Sequence, residues 1–185
     1  RDPAHTLQVH RDWGRRFADP RTRTAKPLVV NDRNPRKRLK VGYVTADFRN
    51  HSVAFFMHPV LSHHNADGVE LHVYSSGMRD AFTDIIQQSV PHWHEVADLS
   101  DEVLCERIRA DEIDVLVDLS GHTGGQRLLM FARRAAPVQV TWAGYALPLG
   151  MKAMDYRLLD HRLAPEGHEK YYSETLFRLP YSASY

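Results

Sequence analysis

The residues best suited to chemistry fall in three short polar stretches. The first, ADFRNHS (residues 46–52), places Asp47, Asn50 and His51 close together. A histidine with a pKa near 6.5 can take a proton from a hydroxyl or hold a substrate oxygen. The plainer alternative has Asp47 and Asn50 capping the helix that follows, with His51 exposed. The second stretch, DLSGHTGGQR (residues 118–127), carries Gly121, Gly124 and Gly125. Glycines there permit positive φ and close backbone approach, and N–H groups at the next helix start can meet an anion. Thr123 is expected at that helix N-cap, where its hydroxyl chooses between backbone and a sugar. The pattern is neither GxGxxG nor a Walker A loop, and a plain turn accounts for it equally well. The third stretch, WAGYALPLG (residues 142–150), offers the Gly144 backbone to a ligand, and Tyr145, Leu147 and Pro148 to a sugar face or peptide. Its alternative is a rim loop packed on the next helix.

Other reactive residues rank lower. His92 and His94 flank Trp93 without a third ligand nearby in sequence, so no metal site is expected. His63 and His64 read as a helix end. The single cysteine, Cys105, sits on an apolar helix face and belongs to the core. Asp114 and Asp118 bracket a buried strand but form no DxD pair.

The elements that must position these loops alternate. Residues 39–45, 70–75, 113–119, 138–142, 156–159 and 176–179 read as strands, with Val96 in a short further one. Helices are expected over residues 53–63, 80–90, 100–110 and 128–134. The first of these turns Phe56, Val60 and one of Met57 or Leu61 inward, and Ser100 caps the third. This spacing argues a Rossmann-like, doubly wound parallel α/β sheet. Ligands of such sheets sit beyond the strands' carboxyl ends, where all three polar stretches lie. Ahead of the sheet, residues 3–18 read as a helix and residues 19–37 as an extended basic linker. The expected division is therefore 1–37 and 38–185.

Bulk properties narrow the class. The 185 residues, 43% hydrophobic and 25% charged, suit one folded domain. No apolar run reaches the roughly 20 residues of a membrane span, and one cysteine excludes an internal disulfide. A reducing cytoplasm fits. Residues 1–40 hold 12 Lys and Arg against 4 Asp and Glu, and the other 145 hold 12 against 19. The basic leader reads as a solvated linker, because no aromatics interleave its charges to stack bases. Neither nucleic acid nor membrane is expected as a partner.

At the three loops the chain resembles a known group. RLKVGYVTADFRNHSVAFFMHPVL (38–61), IDVLVDLSGHTGGQRLLMFARRAAPVQVTWAGY (113–145) and MDYRLLDHRLAPEGHEKYYSETLFRLP (154–180) are similar to the catalytic region of the O-GlcNAc transferase and SPINDLY group. AHTLQVHRDWGRRF (4–17) resembles the segment that joins tetratricopeptide repeats to that region. The resemblance implies the amino-terminal lobe of a two-lobed GT-B glycosyltransferase. It implies inverting, metal-independent transfer of GlcNAc from UDP-GlcNAc to protein Ser or Thr, with no cofactor. His51 falls on the DFxxH histidine proposed as catalytic base. Gly121, Thr123, Gly144 and Tyr145 fall on motifs lining the cleft, and Asp47, Asn50, His122 and Pro148 join them as expected substrate contacts. The carboxyl-terminal lobe, with most nucleotide contacts and a lysine for the leaving diphosphate, and the repeats that recruit acceptors lie outside this sequence. ALPLG stands where animal members carry a more glycine-rich turn. A GDP-fucose-dependent relative and a non-catalytic binding module are the alternatives.

Overall fold

The computed structural model describes residues 2–28, 32 and 34–181; residues 29–31 and 33 of the expected linker, and the last residues to Tyr185, lie outside them. Among the described residues, seven strands form one sheet: β1 (Leu39–Thr45), β2 (Val69–Ser75), β3 (His92–Glu95), β4 (Val115–Asp118), β5 (Val138–Thr141), β6 (Tyr156–Asp160) and β7 (Thr175–Leu179). All are parallel, in the order β3-β2-β1-β4-β5-β6-β7. Parallel strands covered on both faces must be apolar on both, as VLV of β4 is.

The helices divide between the faces. On one, α3 (Ser52–Ser62) and α4 (Ala81–Gln87) cover Tyr43, Leu71, Val73 and Val117 with Met57, Leu61 and Ile86. On the other, α5 (Asp101–Ala110) and α6 (Leu128–Phe131) cover Val44, Tyr74 and Leu116 with Leu104, Ile108 and Phe131. Each fully buried Leu, Ile, Met or Phe side chain of these layers contributes about 1.5–3 kcal/mol. The chain moves outward from β1 to β3 over one face and from β4 onward over the other. The order therefore reverses between β1 and β4, and the loops after those two strands part there.

The structure differs from expectation in several places. Both Met57 and Leu61 are fully buried, while Phe56 and Val60 are only half-buried on the helix flanks. Val96 follows β3 rather than lying in it, although its N–H still donates to the Ser75 carbonyl (2.8 Å). α6 is a single turn, ended by Arg134 at φ 57°. The helix at the start, α1 (Pro3–Trp13), continues through a π-helical turn (Gly14–Ala18) into α2 (Asp19–Arg23), five residues past the expected end. Pro20 stands in the first turn of α2, where its missing N–H has no partner to lose.

The basic leader is not simply solvated. Lys26 pairs with Glu106 (2.9 Å), Lys37 with Asp114 (2.5 Å), Arg38 with Glu70 (3.5 Å) and Lys40 with Glu112 (3.4 Å). The opposite charges of the two sequence regions thus meet near the amino ends of the strands. No helix among the described residues is long and apolar enough to cross a membrane.

Candidate active site

The first loop is built around the start of α3. His51 has extended backbone (φ −150°, ψ 151°) and is itself the N-cap, its Nδ1 accepting the Val53 N–H at 3.3 Å. An Nδ1 that accepts a hydrogen bond carries no proton, so the neutral ring holds its proton on Nε2. Asp47 lies behind the ring, buried, with Oδ2 4.0 Å from Nδ1 and Oδ1 3.4 Å from Arg49. Asn50 is exposed, and its backbone N–H donates to Asp80 Oδ2 (2.7 Å) at the cap of α4. The expected capping role thus belongs to His51 rather than to Asp47 or Asn50.

The second loop is pinned from beneath by Asp118. This fully buried carboxylate accepts the N–H groups of Ser120 (3.1 Å) and Gly121 (3.0 Å) and the Thr141 hydroxyl (2.8 Å). Burial pushes its pKa up, against hydrogen bonds that favour the ionised form. Thr123 is not at a helix N-cap: Arg127 holds that place, and the Thr123 hydroxyl donates to the Ser120 carbonyl (2.8 Å). A one-turn α6 offers no helix terminus for an anion. Arg127 is likewise committed, donating to the carbonyls of Val96 and Leu99 (2.8 Å each).

Two of the glycines expected to touch ligand are also packed against neighbouring segments. A Cβ on Gly121 (φ 54°) would lie 2.3 Å from the Tyr145 Cβ, and one on Gly144 would lie 2.0 Å from the Leu119 carbonyl oxygen. Gly124 has open space around it. His122 also bridges loops, its Nε2–H donating to the Leu149 carbonyl (2.9 Å) with its ring against Trp13 and His10.

The third loop is held by residues that no periodicity marks. Arg157 donates to the carbonyls of Tyr145 (2.7 Å) and Leu147 (2.6 Å) and pairs with Glu174 (3.3 Å). Glu174 in turn accepts the N–H groups of Leu149 (2.8 Å) and Ser173 (3.1 Å). An arginine inside an apolar strand pattern was the one available signal, since it demands a buried acceptor. From α1, His10 fixes Tyr145: its Nδ1–H donates to the Thr6 carbonyl, leaving Nε2 to accept the Tyr145 hydroxyl, both at 2.7 Å.

The first and third loops border a cavity of about 240 Å³ beyond β1 and β5, lined by His51, Phe56, Trp142, Gly144, Tyr145 and Tyr172 among others. A larger one of about 570 Å³ lies beside it between α1 and the third loop and takes in Pro148; Tyr145 and Tyr172 border both. Of the sequence candidates, then, His51, Gly144 and Tyr145 come together. Asp47 backs His51, Pro148 lines the second cavity, and Gly121, His122 and Thr123 hold the loops in place. Asn50 points to α4.

Burial lowers the pKa values of His64 and His122 below the usual imidazole range. The unfolded chain therefore binds protons first as pH falls, so stability from these groups is present above about 6.5 and declines below it. Thermal melts should show Tm decreasing from about pH 7 to about pH 5; a flat or rising Tm would count against neutral, desolvated rings.

A strand order that reverses between β1 and β4, with a cavity at the carboxyl edge, defines a Rossmann-like α/β lobe. The chain belongs to glycosyl transferase family 41, whose profile matches residues 24–183. It is 35% identical over 180 residues to the tomato (Solanum lycopersicum) probable UDP-N-acetylglucosamine–peptide N-acetylglucosaminyltransferase SPINDLY, covering 95% of this chain and 19% of that protein. The Arabidopsis thaliana probable transferase SEC is 31% identical over 189 residues, covering 97% and 19%. Among solved structures, a K341M mutant of the Thermobaculum terrenum O-GlcNAc transferase is 41% identical with a TM-score of 0.93, covering 98% of this chain and 35% of that one. The chain thus spans 19% of these curated relatives' length.

Proposed function

We propose that this lobe works in protein O-GlcNAc transfer, with UDP-GlcNAc as donor and a protein Ser or Thr as acceptor. The observation that carries it is the placement of His51, with Tyr145, on one cavity beyond the carboxyl ends of β1 and β5. The names of the relatives support the same donor and acceptor. On this reading a second lobe supplies most nucleotide contacts, repeats ahead of the chain recruit acceptors, and the protein acts in the cytoplasm.

The chemistry is one inverting, metal-independent displacement. The acceptor oxygen attacks the anomeric carbon, the bond to the diphosphate breaks on the opposite side, and the hydroxyl proton departs. His51 lines the cavity and carries its proton on Nε2, so on this reading it donates a hydrogen bond to a sugar or acceptor oxygen and orients the attack. To act as the base through Nε2, the ring would have to take the other tautomer, with its proton on Nδ1, released from the Val53 N–H and donating a hydrogen bond to Asp47.

The test uses the full-length protein with radiolabelled UDP-GlcNAc and GDP-fucose offered separately to a protein acceptor. Transfer from UDP-GlcNAc is expected. Asn is as good an N-cap as any residue, so His51→Asn keeps the helix start while removing the imidazole. It should lower kcat about 10–100-fold, the worth of one hydrogen bond to a group gaining charge. The acid limb of the pH profile should survive in the variant; its disappearance would make His51 the base. Transfer from GDP-fucose, or from neither donor, would overturn the assignment.

A further inference from the structure

Away from the three loops, the outer edge of the sheet gathers histidines that the sequence leaves apart. β2 and β3 are in register with His72 opposite His92, and β2 also carries Glu70 and Tyr74. His72 and His92 stack at 4.3 Å, and His94 stacks on Tyr74 at 4.9 Å. Glu70 Oε1 lies 2.9 Å from His72 Nε2 and 3.6 Å from His92 Nε2. The ligand atoms of Glu70, His72 and His92 all fall within 4.8 Å of one another, as do those of His72, His94 and Asp111. Sequence reasoning set the His92–His94 pair aside for want of a third ligand. The parallel pairing of β2 with β3 supplies two.

We propose that Glu70, His72 and His92 bind one divalent transition-metal ion of the zinc class. Ligand atoms about 2.0–2.1 Å from a tetrahedral ion stand about 3.3 Å apart, and the two distances to Glu70 straddle that value. Two imidazoles and a carboxylate suit Zn²⁺, Co²⁺, Ni²⁺ or Cu²⁺ and not Mg²⁺ or Ca²⁺. Arg38 holds the other oxygen of Glu70, Oε2, at 3.5 Å, which leaves Oε1 facing the two rings. His92 is 44% exposed, giving the ion a path in and an open coordination position.

An independent observation concerns His72. Its side chain is only 7% exposed, and its Nδ1 has no hydrogen-bond partner among the described residues. Without an ion, Nε2–H donates to Glu70, and the bare Nδ1 remains buried and unsatisfied, an arrangement that costs about 1–3 kcal/mol. A metal on Nε2 moves the ring proton to Nδ1, where it can donate to a carboxylate; an Asp111 oxygen lies within 4.8 Å of a His72 ring nitrogen, and that carboxylate already accepts the Tyr74 hydroxyl (2.8 Å). The result is the carboxylate–histidine–metal arrangement that orients ligating imidazoles elsewhere. Asp111 follows α5, before β4, so the ion sits toward the amino ends of the strands, opposite the loops. It is assigned a structural role, tying the edge strand β3 to β2, and not a catalytic one.

The test strips the full-length protein with EDTA and titrates it with CoCl₂ and ZnCl₂, following the visible d–d absorption of cobalt and the heat of zinc binding. One saturable equivalent is expected, with binding lost below about pH 6 as the imidazoles protonate. His92→Gln and Glu70→Gln, both on side chains reached by solvent, should each weaken it at least 10–100-fold, with unchanged circular dichroism. An exposed control, His161→Gln, should bind as wild type. No saturable equivalent, or full binding by His92→Gln, overturns the site. Loss in His94→Gln with retention in His92→Gln would put the ion on the inner triad and overturn the assignment of ligands.

Discussion

Replacing Glu174 with Leu should destabilise the chain by about 3–5 kcal/mol, because it strands the buried guanidinium of Arg157 without its counter-charge. The side chains of both residues are almost wholly buried, at 4% and 0% exposure. Together they hold five backbone groups: the carbonyls of Tyr145 and Leu147 through Arg157, and the N–H groups of Leu149 and Ser173 through Glu174, with the Gly150 N–H tied in through the Ser173 hydroxyl (2.8 Å). Buried ion pairs exchanged for apolar residues of similar volume are often neutral. Here the double variant Arg157→Met/Glu174→Leu should recover only part of the loss, since the backbone groups of the third loop stay unpaired. Chemical denaturation of the wild type and the two variants decides this. Full recovery in the double variant would mean that the pair does not organise the loop. A loss below about 1 kcal/mol in the single variant would mean that water reaches Arg157.

Gly121→Ala should cost about 2–5 kcal/mol, while Gly124→Ala, three residues along the same turn, should stay within about 0.5 kcal/mol. At Gly121 the added methyl meets the Tyr145 Cβ at 2.3 Å, and the backbone is left-handed (φ 54°). At Gly124 it meets nothing within 4 Å. Tyr145 is also the residue that His10 and both cavities share, so pushing it away should lower transfer as well as Tm. Equal effects at the two glycines would show that the turn is held by ligand and not by packing against the third loop.

Much of this was legible beforehand because it is local. Strand–helix alternation, the Ser100 cap and the placement of three polar loops after strands follow from side-chain period and capping chemistry within a few residues of one another. The doubly wound sheet could be anticipated from that alternation, and so could the region where His51 and Tyr145 meet. The misreadings arose where a local signal was overruled. Residues 19–23 read as linker but continue the first helix as α2. Thr123 looked like a cap but closes onto Ser120. Gly121 and Gly144, read as ligand contacts, also make room for Tyr145 and for the Leu119 carbonyl.

What the sequence determined by itself, then, was the class of fold, the likeness to a glycosyltransferase lobe and the three loops in which to search. Only the tertiary structure decided which residues share a task. Arg157 with Glu174, Asp118 with Gly121, His10 with Tyr145 and His72 with His92 are separated by 17, 3, 135 and 20 positions. His72 meets His92, and Arg157 meets Glu174, because parallel strands joined by crossovers bring remote segments side by side, while His10 meets Tyr145 because α1 packs against the third loop. Periodicity tells which way a side chain faces; the partner across the sheet is settled by which strand lies beside it.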